Sequence, residues 1–106
     1  MAFCTIECEI GRLLYYKIAW MEDKGLIPGY EASVAKNFCS ELSQRVANIS
    51  LGIMGLCGQL EASPRALLHQ SVPLGYLYSI GDTIGGGTSE INQTLIVIRG
   101  LGLPRG

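Results

Sequence analysis

The stretch best equipped for chemistry is Ile84-Gly85-Gly86-Gly87-Thr88-Ser89-Glu90-Ile91. Three glycines run directly into a Thr-Ser-Glu helix start. Glycine has no Cβ, so this backbone reaches positive φ and lies close against a ligand. The helix that follows opens with unbonded N–H groups and the positive end of its dipole, which together favour an anion or a phosphate. The plainer reading of the same residues is a loop closed by a Thr88 or Ser89 N-cap, with Glu90 as a first-turn charge favoured by the dipole. A glycine-rich turn ahead of a helix fits both.

The other reactive side chains gather less well. Cys4 and Cys8 are four residues apart and share one face of the first expected helix, while Cys39 and Cys57 stand alone. The single histidine, His69, has no ligand-like spacing to any cysteine, so no metal site is read here. Thiols acting as small buried hydrophobes are expected instead, which suits a reducing cytoplasm. A net charge of −1 gives no electrostatic case for nucleic acid. Glu7 and Glu9 precede Arg12, unlike a secretory leader, and no uncharged apolar run reaches membrane-spanning length.

The elements that position these residues read as helices. Phe3, Ile6, Ile10, Leu13, Leu14, Ile18 and Met21 recur at helical steps and predict a helix over 3–23, with Glu9 and Arg12 paired on its wet face. Gly25 is its expected C-cap, and Pro28 blocks continuation. Val34, Phe38, Leu42, Val46, Ile49, Ile53 and Leu56 predict a second helix over 30–56, in which Glu41 and Arg45 stand at i,i+4. Ser63-Pro64 predicts a short helix over 64–70, stopped near Pro73. A helical turn or two over 74–80 competes with Pro73, Gly75 and Gly81. The last helix is expected over 89–99, with Ile91, Leu95 and Ile98 facing inward and Gly100 ending it. Tyr15, Tyr16 and Trp20 read as packing residues with polar tips at the rim.

Taken together, Gly86-Gly87-Thr88-Ser89-Glu90-Ile91, a ten-residue helix and Arg99-Gly100-Leu101-Gly102-Leu103-Pro104-Arg105 resemble the end of the acyl-CoA dehydrogenase family. There this segment is the last loop and helix of the all-helical C-terminal domain. Glu7 to Trp20, with its acidic residue, Arg12-Leu13-Leu14 and Ala19-Trp20, is similar to the second long helix of that domain. Glu31 to Lys36, followed by Glu41 and Arg45-Val46-Ala47, is similar to the third. The resemblance spans Glu7 to Arg105 but only the last part of a full enzyme. It implies that Met1 falls about one helix into the four-helix domain and that the N-terminal and middle domains lie elsewhere.

Family members oxidise an acyl-CoA to the 2,3-enoyl thioester. A carboxylate takes the α proton, and FAD takes the β hydrogen as hydride. By resemblance, Gly86 and Gly87 match the loop beside flavin and acyl chain. Thr88 and Glu90 match positions that contact the adenosine or phosphate region. Two departures stand out. In many members the base is a glutamate at the position held here by Gly86, which accepts no proton; another branch carries its glutamate on the preceding helix, outside this sequence. The inter-subunit flavin motif, Gln-x-x-Gly-Gly-x-Gly, reads here Gly52-Ile53-Met54-Gly55-Leu56-Cys57-Gly58.

The expectation is therefore one all-α domain over 1–106, an incomplete up-down bundle completed by oligomerisation, either a homodimer or a larger even assembly. A hydrophobic share of 48% against 16% charged residues supports this, because 106 residues are too few to hide that much apolar surface in one monomer. A separate chain supplying the missing dehydrogenase domains is the other expected partner. No catalytic residue is identified, FAD belongs to the full-length family, and the chain alone is not expected to bind it. A stand-alone FAD- or acyl-CoA-binding module and an oligomerising helical scaffold are the alternatives.

Overall fold

The computed structural model describes residues 2–60, 64 and 71–105, all of whose regular elements are helical. Helix α1 runs Ala2–Asp23 and α2 runs Tyr30–Met54, followed by a 3-10 turn over Gly55–Gln59. Helix α3 is Ser71–Asp82, and α4 is Ser89–Leu95, continued by a π turn over Ile96–Gly100. The short helix expected over 64–70 lies outside the described residues, apart from Pro64. No described helix is long and apolar enough to cross a membrane.

The first helix ends as its sequence predicts. Gly25 takes a φ of +71°, its N–H donates to Glu22 O, and Leu26 N–H reaches back to Met21 O. This pair of bonds closes the last carbonyls of α1 and turns the chain towards α2.

Helix α2 is the hub. It packs against α1, α3, α4 and the π turn, whereas α1 packs against α2 alone among the described elements. The α1–α2 crossing is close because Gly11 is buried there. A Cβ at that position would stand 3.1 Å from Cys39 Sγ. Arg45 of α2 pairs with Glu7 of α1 at 2.7 Å. This corrects the expected Glu41–Arg45 pair: Glu41 instead accepts from Ser89 Oγ at 3.4 Å. Both charges serve tertiary links because neighbouring helices offer partners that a lone helix does not. The Glu9–Arg12 pair forms as expected.

Helix α3 departs most from its sequence reading. Pro73 sits buried in its first turn, where backbone N–H groups have no intrahelical acceptor, so the missing N–H costs nothing. Proline here starts a helix, and Gly75 and Gly81 ride within it.

Little of this architecture is closed. Among the described residues the buried apolar side chains are Ala35, Leu42 and Pro73 alone. In α1 the face turned to α2 holds Cys4, Glu7, Gly11, Leu14, Ile18 and Met21 at least partly covered. Phe3, Ile6, Ile10 and Leu13, expected on the same inward face, are exposed, Phe3 at 82%. Ile49 and Ile53 at the end of α2, and Leu56 in the 3-10 turn that follows, are exposed as well. The accessible area is 7423 Å², against about 5,800 Å² for a folded monomer of this mass. The excess, about 1,600 Å², is roughly twice what one partner gives to a standard interface. The radius of gyration, 16.9 Å, likewise exceeds the roughly 13 Å of a compact domain this long.

Candidate functional site

The triglycine segment links α3 to α4 across the hub helix. Thr83 Oγ1 donates to Ile80 O, and the N–H groups of Ile84 and Gly85 both donate to Gly81 O, closing α3. Gly86 and Gly87 then take φ values of +72° and +100°, which side-chain-bearing residues rarely adopt. A Cβ on Gly86 would meet only Lys36 Cε, at 3.9 Å, so that position stays open; one on Gly87 would crowd Asn92 Nδ2 at 3.3 Å.

Thr88 is the N-cap of α4, its Oγ1 accepting from Ile91 N–H at 3.4 Å. The exposed Glu90 carboxylate lies over the same helix start. Its own backbone N–H and the Thr88 hydroxyl hold its pKa below the usual carboxylate range. The positive end of α4 is thus answered from within, which fits the capping reading of Thr88 and Glu90. Gly86, Gly87, Thr88 and Glu90 stand together because they are adjacent in the chain.

Two residues not singled out from the sequence fix this loop. Lys36 of α2 donates through Nζ to Gly87 O. Asn92 of α4, 4% exposed, donates to Gly87 O at 2.9 Å and to Thr88 O at 3.0 Å. The inward place expected for Ile91 therefore falls to Asn92, and Ile91 is 55% exposed. The loop carbonyls need donors, and a carboxamide supplies them where an apolar side chain does not. Leu95 and Ile98 are half-buried.

A cavity of about 420 Å³ borders the loop, with Tyr15, Lys36, Cys39, Ser40, Asp82 and Gly85 in its wall. Burial, helped by Cys39, pushes the Tyr15 hydroxyl up from its ordinary pKa. Burial likewise raises Cys39, against the opposing pull of its hydrogen bond with Tyr15. Both groups stay protonated near neutrality, so Cys39 offers little thiolate for nucleophilic chemistry. Asp82 is the carboxylate on this wall. Elsewhere, among the described residues, no three His, Cys, Asp or Glu converge to hold a metal.

The glycines at the end of α2 and in the 3-10 turn divide in their roles. Gly52 and Gly55 face open space, whereas a Cβ on Gly58 would press on Met54 Cβ at 2.9 Å. Gly58 is thus spent on local packing. Leu56, 84% exposed, projects beside the open pair.

The family described as acyl-CoA dehydrogenase, C-terminal domain, matches residues 1–102. The chain is 32% identical over 104 residues to the acyl-CoA dehydrogenase FadE26 of Mycobacterium tuberculosis, covering 93% of this chain and 26% of that protein. It is 29% identical over 104 residues to a glutaryl-CoA dehydrogenase of Desulfococcus multivorans, covering 97% and 25%. Among solved structures it overlays the Tcur3481–Tcur3483 steroid ACAD with a TM-score of 0.93 at 28% identity, over 99% of this chain and 28% of that one. The ChsE4–ChsE5 complex from Mycobacterium tuberculosis follows at 0.86 and 29% identity, over 96% and 26%. The chain spans about a quarter of the length of the relatives it matches.

Proposed function

Because this chain belongs to the acyl-CoA dehydrogenase family, as its C-terminal helical domain, we propose that it forms one wall of an FAD-dependent acyl-CoA dehydrogenase and does not turn over by itself. The observation that carries this reading is the uncovered apolar surface. Phe3, Ile6, Ile10, Leu13 and Trp20 of α1 lie exposed on a fold that otherwise overlays much longer enzymes. Apolar area of this extent is stable in water only against another surface.

Within such an enzyme FAD, when bound, takes the hydride. This chain's own part is to shape the approach. Gly86 leaves room for a flat ring or a thioester beside the backbone, and Gly87 lets the loop turn away from it. Thr88 and Glu90 set the start of α4 near the nucleotide end. Gly86 carries no side chain, so the α proton must go to a carboxylate from outside the triglycine loop.

The partner in this reading is a second copy of the chain, in an even assembly, or a chain bringing the remaining domains. The two solved relatives, Tcur3481–Tcur3483 and ChsE4–ChsE5, each pair two components, which supports the second form. A reducing, cytoplasmic setting fits four free cysteines.

Absorption spectroscopy of the purified protein, with its molar mass, tests the proposal. Flavin absorption should appear only in assemblies larger than the lone chain. A yellow monomer would favour a stand-alone flavin-binding module. A colourless but stable homo-oligomer that takes up no FAD would favour a helical scaffold.

A further inference from the structure

The Gly87 carbonyl is gripped by side chains from two different helices. Lys36 of α2 and Asn92 of α4 converge on the same oxygen, and Asn92 also takes the next carbonyl, that of Thr88. Neither donor is a chance surface contact. Lys36 is half-buried and Asn92 is buried, and their partners lie 51 and 5 residues away in sequence. One residue further on, Ser89 Oγ reaches Glu41, so α2 holds the loop at two points five residues apart along its own length.

The geometry gives this grip a direction. No peptide here is cis, so each C=O and the following N–H point to opposite sides. With the Gly87 oxygen drawn in towards Lys36 and Asn92, the N–H edge of that peptide faces away from them. Among the described residues the N–H groups of Gly86, Gly87 and Thr88 have no acceptor. Gly86 and Gly87 hold this arrangement at positive φ.

We propose that Lys36 and Asn92 are positioning residues. They hold the Gly87 carbonyl inward and thereby fix the triglycine loop with the unbonded Thr88 N–H, on the opposite side of that peptide, turned to the flavin nucleotide. The proposal rests on the flavin reading above, and it adds the residues of this chain that set the loop for the cofactor. Neither Lys36 nor Asn92 is required to touch the cofactor or the acyl chain.

The test compares wild type, Lys36→Met and Lys36→Arg in the full-length protein as its source cells produce it, in any assembly it forms. Amide hydrogen exchange is followed at Ile91 and Asn92, whose N–H groups donate to Thr88 Oγ1 and Thr88 O. Loss of the charged donor should speed their exchange about tenfold in Lys36→Met, with α2 amides unchanged and most protection restored in Lys36→Arg. Equal rates in Lys36→Met and wild type would overturn the clamp. FAD titration is the second arm. Lys36→Met should raise the Kd for FAD about tenfold, with Lys36→Arg close to wild type. An unchanged Kd beside faster exchange would overturn the link to the cofactor. If the wild type takes up no FAD, the proposed function fails and the cofactor link with it, while the exchange arm still decides the clamp. Should Lys36→Met not fold, Lys36→Leu, which also lacks a donor, carries the same comparison.

Discussion

Replacing Gly87 with alanine isolates what the loop demands of its backbone. A side chain at φ +100° costs about 1–2 kcal/mol, the usual penalty for an L-residue on that side of the map. The new Cβ would also stand 3.3 Å from Asn92 Nδ2, tighter than ordinary contact. Asn92 is buried and its amide spans two carbonyls, so it has little room to yield. Losing or lengthening one of those bonds adds about 1 kcal/mol. The expected total is about 2–3 kcal/mol. Gly25→Ala is the control. Gly25 has a similar positive φ, +71°, and nothing within 4 Å of its Cβ position, so only the backbone cost of about 1–2 kcal/mol applies. The entropy gained by removing a glycine from the unfolded chain is common to both and cancels. Urea denaturation of each variant gives the two values from midpoints at constant slope. In an Asn92→Ala background the cost of Gly87→Ala should fall to that of Gly25→Ala. If Gly87→Ala is no more costly than Gly25→Ala in the wild-type background, the Asn92 contact does not constrain the loop.

Other outcomes follow from single contacts. Gly11→Val should loosen α1 from α2 by about 1–3 kcal/mol, because its branches meet Cys39 and Phe38, and Cys39→Ala should relieve part of that in a double-mutant cycle. The Glu7–Arg45 pair is half-exposed, so Arg45→Met should cost about 0–1 kcal/mol and its effect should shrink with added salt. Glu90 has a lowered folded pKa, so its stabilising effect is complete above its unfolded value of about 4.3 and is lost as pH falls through the lower folded value. Glu90→Gln should flatten that acid limb of a stability-versus-pH curve. Trp20, the single tryptophan, is 57% exposed, and its emission should shift to the blue and become harder to quench with iodide when the missing wall is bound.

Strong periodicity made the long helices readable. Alternating three- and four-residue steps mark α1 and α2 to within two residues of their observed ends. The same pattern misplaced the inward face of α1. Phe3, Ile6, Ile10 and Leu13 are as apolar as Leu14 and Ile18, and a helix apolar on two sides does not declare which side meets which neighbour. Gly11, the residue that brings α1 close to α2, reads as a weak helix former and nothing more. Helix α3 was obscured by Pro73, whose effect depends on whether it falls in the first turn or the interior. In the loop, the glycines and the Thr88 cap were legible because their chemistry is local. Lys36 and Asn92 were not, since a lysine 51 residues away gives no sign of its acceptor until the fold brings them together. A polar residue at an inward helical position, such as Asn92 between Ile91 and Leu95, is the one signal that was available.

The central claim is that this bundle lacks a wall that another surface must supply. Light scattering of the purified 106-residue chain, run together with a thermal melt, tests it most directly. The account predicts an associated species, or a monomer that melts without cooperativity and binds an apolar dye. A monomer of 11.4 kDa that melts in one sharp transition and binds no dye would contradict it.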